Sequence, residues 1–130
     1  MKILVTGANG YLGQGVVKQL LNEKHNVVAT DLATDNIDER AERLAADIFS
    51  VSSPYEYFGK PDVVLHLAWR NGFVHNALSH MEDLPAHYLF LKNLLEGGLK
   101  HIAVMGTMHE IGFFEGSIKE DTPTNPQSLY

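Results

Sequence analysis

Three glycines at regular spacing, Gly7, Gly10 and Gly13, follow a short apolar run at the start of the chain. A phosphate-binding loop needs a tight turn at its first glycine, close backbone approach at the second and close helix packing at the third. The unpaired N–H groups of a helix beginning near Tyr11 would then face the phosphates. The spacing differs from the common G-x-G-x-x-G form, but its place between a strand and a helix favours a nucleotide pyrophosphate over an ordinary glycine turn.

A carboxylate, Asp31, stands about 20 residues after these glycines, directly after the second predicted strand. A carboxylate at that distance accepts hydrogen bonds from the adenosine ribose hydroxyls. Because it would also repel a 2′-phosphate, Asp31 favours NAD over NADP. The alternative is an aspartate that caps the turn after the strand. Asp47, at the end of the predicted third strand, could face an adenine ring, although aspartates also commonly start turns.

Hydrophobic periodicity predicts the elements that must position these residues. Apolar runs with β-branched members, typical of strands buried on both faces of a parallel sheet, occur at residues 2–6, 25–30, 43–48, 62–68 and 101–106. Apolar residues four apart predict an amphipathic helix over 11–23. A longer helical stretch covers 76–97, with Pro85 marking a bend or a break. Residues 112–130 are rich in Gly, Pro, Ser and Thr and are predicted to be loop.

Strands that alternate with helices predict an α/β fold built on a doubly wound parallel sheet. Right-handed crossovers give the strand order 3-2-1-4-5. Ligands of such sheets bind beyond the carboxyl ends of the strands, at the switch point between strands 1 and 4. Because the glycine turn follows strand 1, the nucleotide site is predicted at that point.

The composition argues against several other kinds of site. A chain of 130 residues allows one domain of ordinary size, and the absence of cysteine excludes disulfides, thiolate metal sites and thiol nucleophiles. The net charge of −6 and the lack of a basic run argue against a nucleic-acid partner. No apolar stretch approaches the ~18 residues that span a bilayer, and no signal peptide is apparent. We therefore expect a cytoplasmic protein without a membrane partner.

Three histidines and one arginine in the second half of the chain are of types that bind metals or anions. The spacings of His75, His80 and His87 do not repeat the i, i+4 pairing of helical zinc ligands. We therefore expect no metal site. Arg70, in the loop after the fourth strand, could meet a substrate diphosphate or be an ordinary surface arginine.

The ordered set of motifs resembles the extended short-chain dehydrogenase/reductase family and, more narrowly, its NAD-dependent sugar-nucleotide epimerase/dehydratase group. The motifs are TGANGYLG at residues 6–13, Asp31, Asp47-Ile48, His66-Leu67-Ala68 and EDTPTNPQSLY at residues 120–130. The resemblance implies that residues 1–130 are a Rossmann-type NAD-binding domain. It also implies that this domain is the N-terminal part of a longer enzyme, truncated before the last strands of the sheet and without the substrate domain.

The resemblance further implies an NAD site built from several loops. Asp47 and the backbone of Ile48 would contact adenine. Leu67 and Ala68 would line the cofactor near the pyrophosphate and the nicotinamide ribose. The full set of residues expected to bind the cofactor is Gly7, Asn9, Gly10, Tyr11, Leu12, Gly13, Asp31, Leu32, Asp47, Ile48, Leu67, Ala68 and Trp69.

Thr107 and Tyr130 match the catalytic Ser/Thr and tyrosine of the family. The implied reaction is hydride transfer between a sugar carbon and nicotinamide. The tyrosine would take the proton of the hydroxyl being oxidised, and the Thr107 hydroxyl would hold the same oxygen. The ordinary alternatives are a threonine that caps a turn and a tyrosine without a catalytic role.

The family's lysine, four residues after the tyrosine, falls beyond the chain, so we expect the 130 residues alone to be catalytically inactive. Family members are often homodimers, which makes a homodimer an expectation for the full-length enzyme rather than for this chain.

Three positions depart from the family pattern. Met108 and His109 stand where 4,6-dehydratases carry an Asp-Glu pair, and methionine cannot transfer a proton. This favours 4-epimerisation or a related redox step on a nucleotide sugar over dehydration. His87 stands where the family has an asparagine. Two other functions stay open, a non-catalytic NAD-binding regulatory protein and an NADP-linked reductase of the same fold.

Overall fold

The computed structural model describes all 130 residues. Its elements are β1 (Lys2–Thr6), α1 (Tyr11–Asn22), β2 (Asn26–Asp31), β3 (Glu42–Ala45), α2 (Pro54–Tyr57), β4 (Val63–His66), α3 (Ser79–Gly97), β5 (His101–Val104) and a 3-10 helix (Met108–Glu110). The chain divides into two compact units, each described by itself below. The first consists of Met1–Ala68 and Ala86–Met105, and the second of Trp69–Pro85 and Gly106–Tyr130.

The five strands form one sheet in the order β3-β2-β1-β4-β5, and every neighbouring pair is parallel. This confirms the predicted doubly wound fold and its strand order. Thr6, the last residue of β1, is paired with Thr30 of β2 on one side and with His66 of β4 on the other. After β1 the chain adds β2 and β3 on one side of that strand, and then crosses over to add β4 and β5 on its other side. The switch point therefore lies at the carboxyl ends of β1 and β4.

Alternating side chains of β1 enter two separate hydrophobic clusters, one on each face of the sheet. Ile3 and Val5 pack in a cluster that includes Val17 of α1. Leu4, which points the other way, packs in a cluster that includes Phe90 and Leu94 of α3. Burial on both faces explains why the strands have continuous apolar runs rather than alternating ones.

Three strands end earlier than predicted, β3 at Ala45 rather than residue 48, β4 at His66 rather than 68, and β5 at Val104 rather than 106. Gly7 has a φ of +68° and turns the chain out of the sheet after β1. The chain after β4 therefore has no extended neighbour to pair with. After β3, the chain turns at Asp47, whose carbonyl accepts a 3.0 Å hydrogen bond from the N–H of residue 50.

The predicted helix over 76–97 begins at Ser79 and is continuous across Pro85, so of the bend or break expected there, the break is wrong. A proline inside a helix removes one backbone N–H donor, and here the helix tolerates that loss. Neither α2 nor the 3-10 helix was predicted, because segments of four and three residues are too short for periodicity to show. Residues 112–130 contain no helix or strand, as predicted. No helix, α3 included, has the length and apolar character that a membrane crossing requires.

Candidate functional site

Two of the three glycines in the turn after β1 are required by the packing of the first unit. A Cβ on Gly7 would lie 2.7 Å from the backbone nitrogen of Ala68, and its φ of +68° is left-handed. A Cβ on Gly13 would lie 2.2 Å from the carbonyl oxygen of Gly7. The segment after β4 and the start of α1 therefore both pack closely against the turn. The close packing of the helix at Gly13 was predicted from the spacing, and the contact between Gly7 and Ala68 was not.

Gly10 stands in a different environment. It is exposed, and a Cβ there would meet only the Gly7 carbonyl oxygen, at 3.3 Å. Its φ of −74° and ψ of 170° are accessible to any residue. The fold itself therefore does not demand glycine at this position. The missing side chain leaves open space beside the start of α1, where a ligand could approach the backbone.

The N-terminus of α1 carries unpaired backbone donors. Gly10 is the N-cap and offers no side chain, and the first turn contains no acidic residue. The first helical hydrogen bond runs from the N–H of Gln14 to the carbonyl of Gly10, at 3.0 Å. The N–H groups of Tyr11, Leu12 and Gly13 therefore have no intrahelical acceptor. An anion at this end would satisfy them and would interact favourably with the helix dipole.

Asp31 is the last residue of β2, because the strand ends one residue later than predicted. Its Oδ2 accepts a 3.0 Å hydrogen bond from the N–H of Asn9, and its Oδ1 accepts one of 2.8 Å from the N–H of Leu32. Each carboxylate oxygen retains a second acceptor position. Asp31 can therefore accept ribose hydroxyls while it remains tied to the glycine turn, and it also caps the turn that starts at Leu32.

Asn9 links the glycine turn to the loop that follows β2. Its Oδ1 accepts a 2.9 Å hydrogen bond from the N–H of Asn36, and its carbonyl accepts one of 2.7 Å from the Gln14 side chain. The contribution of Asn36 was not predicted. It depends on a contact between residues 27 positions apart, which local sequence patterns do not reveal.

Asp47 and Ile48 lie beyond β3 rather than at its end, which corrects the predicted strand boundary. The Asp47 carboxylate accepts hydrogen bonds from the N–H of Phe49 (3.0 Å) and from the hydroxyl of Ser50 (2.8 Å). Ile48 is buried in the hydrophobic cluster that includes Phe90. The structure therefore gives Asp47 a turn-capping role, and the adenine contact stays a prediction.

Leu67 and Ala68 lie just past β4, where Thr6 binds both of their N–H groups. The Thr6 carbonyl accepts from Leu67 at 3.2 Å, and the Thr6 hydroxyl accepts from Ala68 at 3.3 Å. These two hydrogen bonds join the end of β1 to the segment after β4, beside Gly7.

A buried pair of histidines extends this connection. Nδ1 of His66 lies 2.8 Å from the Thr6 hydroxyl, and Nε2 of His66 lies 2.8 Å from Nδ1 of His87. His66 is 3% exposed. Burial, with a smaller contribution from the neighbouring His87, lowers the pKa of His66 to about 4. His66 is therefore neutral near pH 7. From the sequence, His87 was noted as one of three histidines whose spacing does not suit a zinc site and as a departure from the family pattern, and its partner was not predicted.

The second unit contains both predicted catalytic residues. Thr107 is the N-cap of the 3-10 helix, and its hydroxyl accepts a 3.2 Å hydrogen bond from the N–H of His109. The ring of His109 lies 5.7 Å from the ring of Tyr130, measured between centroids. The N–H of Tyr130 donates a 2.9 Å hydrogen bond to the carbonyl of His75. Thr107 thus has the capping role foreseen as its alternative, and it lies on the segment that packs against Tyr130.

The loop after β4 is held together by its own side chains within the second unit. Nε1 of Trp69 donates a 3.0 Å hydrogen bond to Nδ1 of His80, whose Nε2 donates to the carbonyl of Val74 at 3.0 Å. Arg70 forms a two-pronged ion pair with Asp83. The structure therefore shows an intramolecular carboxylate partner for Arg70. It brings together no group of three or more His, Asp or Glu side chains that could hold a metal ion.

Relatives of known activity resemble the whole chain. A dTDP-6-deoxy-L-talose 4-dehydrogenase (NAD(+)) from Aggregatibacter actinomycetemcomitans is 42% identical over 135 residues, which cover 100% of this chain and 50% of the relative. The crystal structure of a UDP-glucuronic acid 4-epimerase from Bacillus cereus in complex with NAD is 27% identical, with a TM-score of 0.77. That match covers 100% of this chain and 47% of the epimerase.

A UDP-glucose 4-epimerase from Thermotoga maritima, solved with UDP-glucose, shares the fold with a TM-score of 0.82 at 22% identity. It is matched over 100% of this chain and 46% of its own. The chain thus spans about half the length of the relatives it matches. The model of the NAD-dependent epimerase/dehydratase family matches residues 3–130. The resemblance and the expected cofactor are thereby confirmed at the level of the family, and the chain belongs to the NAD-dependent epimerase/dehydratase family.

Proposed function

We propose that this chain forms the dinucleotide-binding part of an enzyme that oxidises the C4 hydroxyl of a nucleotide-activated sugar. The observation that carries the proposal is the uncapped start of α1 beside the open space at Gly10, with the Asp31 carboxylate tied to the same turn through Asn9. A dinucleotide presents two phosphates and a ribose diol, and this arrangement supplies partners for both.

The glycine turn fits a pyrophosphate because backbone, rather than side chains, forms its wall. The absence of Cβ atoms at Gly7 and Gly13 lets the turn, β4 and α1 approach closely. The absence of one at Gly10 leaves the free N–H groups of the first turn accessible. NAD, when bound, would supply the hydride acceptor, and the residues of the turn would hold its phosphates.

The charges near the predicted ribose favour NAD over NADP. Asp31 would accept two ribose hydroxyls but would repel a 2′-phosphate. Arg40, in the loop between β2 and β3, is bound to Asp38 at 2.7 Å and to the side chain of Asn22 at 3.1 Å. This arginine is thus engaged within the protein, which does not support a site for a 2′-phosphate.

Reaction at C4 of the sugar is supported by two relatives whose names place their chemistry there, a 4-dehydrogenase and a 4-epimerase. Both reactions begin with removal of hydrogen from C4. In the proposed reaction, Tyr130 takes the proton of the C4 hydroxyl, and the Thr107 hydroxyl holds the same oxygen. Met108, next to Thr107, cannot act as the acid of a dehydration. We therefore favour oxidation at C4, as in an epimerase or a dehydrogenase.

Titration of the purified protein with NAD and NADP by calorimetry tests the cofactor. We expect NAD to bind more tightly than NADP by at least about tenfold, because the 2′-phosphate would meet the Asp31 carboxylate. Equal affinities would contradict the assignment to Asp31. Tighter binding of NADP would favour the reductase alternative, and binding of neither would remove the proposal.

The reaction is tested in the protein that carries this chain, with the C4 hydroxyl of dTDP- and UDP-hexoses as the candidate reacting group. NADH absorbance reports a dehydrogenase. Chromatographic separation of the C4 epimers reports an epimerase, which returns the hydride to the sugar and leaves no net NADH. We expect Tyr130→Phe to lower kcat by about 100- to 10,000-fold while NAD still binds. Tyr57→Phe, at an exposed tyrosine of α2, is the matched control and should keep the full rate. Undiminished turnover by Tyr130→Phe would exclude Tyr130 as the base.

A further inference from the structure

A continuous line of buried polar groups runs from the switch point into the core of the first unit. It contains the N–H of Ala68, the hydroxyl of Thr6, and the imidazoles of His66 and His87. Thr6, His66 and His87 all belong to the buried part of the chain. Buried polar groups of this kind are stable only when each has a partner of the right polarity.

The positions of the protons in this line follow from the donors and acceptors available. The Thr6 oxygen already accepts from the N–H of Ala68, so its own O–H needs an acceptor. The only other group bonded to it is Nδ1 of His66, which must therefore be unprotonated. Neutral His66 then carries its proton on Nε2 and donates it to Nδ1 of His87. Because Nδ1 of His87 accepts this proton, His87 carries its own ring proton on Nε2.

The opposite arrangement leaves a buried donor without an acceptor. If Nδ1 of His66 were protonated, both it and the N–H of Ala68 would donate to Thr6. The Thr6 hydroxyl proton would then have no acceptor in its surroundings, and leaving a buried donor unpaired costs about 1–3 kcal/mol. The pair of histidines therefore sets the direction in which the Thr6 hydroxyl points.

We propose that His66 is a positioning residue of the dinucleotide site, which as its Nε2–H tautomer orients the Thr6 hydroxyl to hold the segment after β4 against the glycine turn. The held group is Ala68, whose backbone nitrogen would lie 2.7 Å from a Cβ on Gly7. This inference rests on the proposed function, because it concerns the wall of the same pyrophosphate site. Neither histidine would contact the dinucleotide, and both would act through the Thr6 hydroxyl.

Packing alone would not require this pattern of groups. The His66 ring also lies 5.6 Å from the Phe90 ring, so an apolar residue could satisfy the packing at position 66. An apolar residue would leave the Thr6 hydroxyl without its acceptor. A role in packing alone does not fix which ring nitrogen of His66 is protonated, whereas orientation of the Thr6 hydroxyl requires the proton on Nε2. The position of this proton can be measured.

Long-range ¹H–¹⁵N correlation spectra of the ¹⁵N-labelled protein at pH 7.5 test the tautomers directly. We expect both His66 and His87 to be neutral and protonated at Nε2. Thr6→Val removes the O–H donor to Nδ1 of His66 and the acceptor of the Ala68 N–H. We expect His66 to keep its proton on Nε2, where His87 accepts it, and the ¹⁵N shift of Nδ1 to move toward that of a ring nitrogen without a hydrogen bond. We expect NAD binding to weaken by about tenfold, the equivalent of one lost hydrogen bond. Thr6→Ser keeps the hydroxyl and should keep both the tautomer and the affinity.

Thr30 provides a matched control because it is the register partner of Thr6 and equally buried, and its hydroxyl donates to the carbonyl of Leu44 at 2.8 Å. Thr30→Val should lower stability but leave the His66 tautomer and the NAD affinity unchanged. Protonation of His66 at Nδ1 in the unmodified protein would overturn the inference. So would an unchanged NAD affinity in Thr6→Val. If the expected tautomers are seen and NAD does not bind, the proposed function fails and the hydrogen-bond assignment stands as a structural feature.

Discussion

The N–H of Asn9 donates a 3.0 Å hydrogen bond to Oδ2 of Asp31, which joins the glycine turn to the end of β2 across 22 residues of sequence. The turn and the carboxylate are thus placed together before any ligand arrives. Preorganisation of this kind lowers the entropy that binding would otherwise lose in ordering the two groups.

Asp31→Asn is expected to weaken NAD binding by about 10- to 100-fold, because hydrogen bonds to a charged acceptor exceed those to a neutral amide. Discrimination against NADP should fall at the same time, since the repelling charge is lost. Calorimetric titration measures both. Asp35→Asn, at an exposed aspartate of the same loop, should change neither affinity. An unaltered NAD affinity in the Asp31 variant would show that the carboxylate only caps the turn.

Gly10→Ala is expected to leave the fold intact and to weaken NAD binding by at least about tenfold. An added methyl group would meet only one protein atom, at 3.3 Å, but would occupy the open space beside the free N–H groups. Thermal unfolding and NAD titration separate the two effects. Gly15→Ala places a methyl group on the same helix with nothing within 4 Å and should bind NAD normally. Normal binding by both variants would place the phosphates elsewhere.

Gly13→Ala is expected to lower the free energy of unfolding by about 1–3 kcal/mol, because the methyl group would lie 2.2 Å from the Gly7 carbonyl oxygen and force the helix outward. Gly15→Ala should instead raise it by up to about 1 kcal/mol, since alanine favours a helix and meets no obstacle. Urea unfolding of the two variants provides the measurement. A gain in stability at both positions would mean that α1 does not pack against the turn as closely as described.

The fold and the glycine turn could be predicted from the sequence because their signals are local. Apolar runs marked the five strands, and the residues between them marked the crossovers. The ends of the strands were harder to predict. β4 ends where the turn at Gly7 takes the neighbouring chain of β1 out of the sheet, and not where the apolar run of β4 itself ends. The continuity of α3 through Pro85 also depends on context rather than on the proline itself.

The contacts that support the site could not be read from local patterns. Asn9 binds Asn36, and His66 binds His87, across 27 and 21 residues. Each is an ordinary polar residue in its own segment, and only the strand order brings the partners together. The departure of His87 from the family pattern was a usable signal, but by itself it did not identify His66 as the group it binds.

The unfolding free energy is expected to fall as the pH is lowered from 6.5 towards 4. Burial lowers the pKa of His66 from 6.5 to about 4, so in this window the unfolded chain binds a proton that the folded chain does not. Stability therefore rises with pH here, and the full difference is worth about 3 kcal/mol once the pH reaches the folded value. Urea unfolding at a series of pH values measures the slope. His66→Gln should lose this component, whereas His101→Gln, at an exposed histidine of β5, should retain it. Parallel curves for the unmodified protein and His66→Gln would contradict the burial of a neutral imidazole at the switch point.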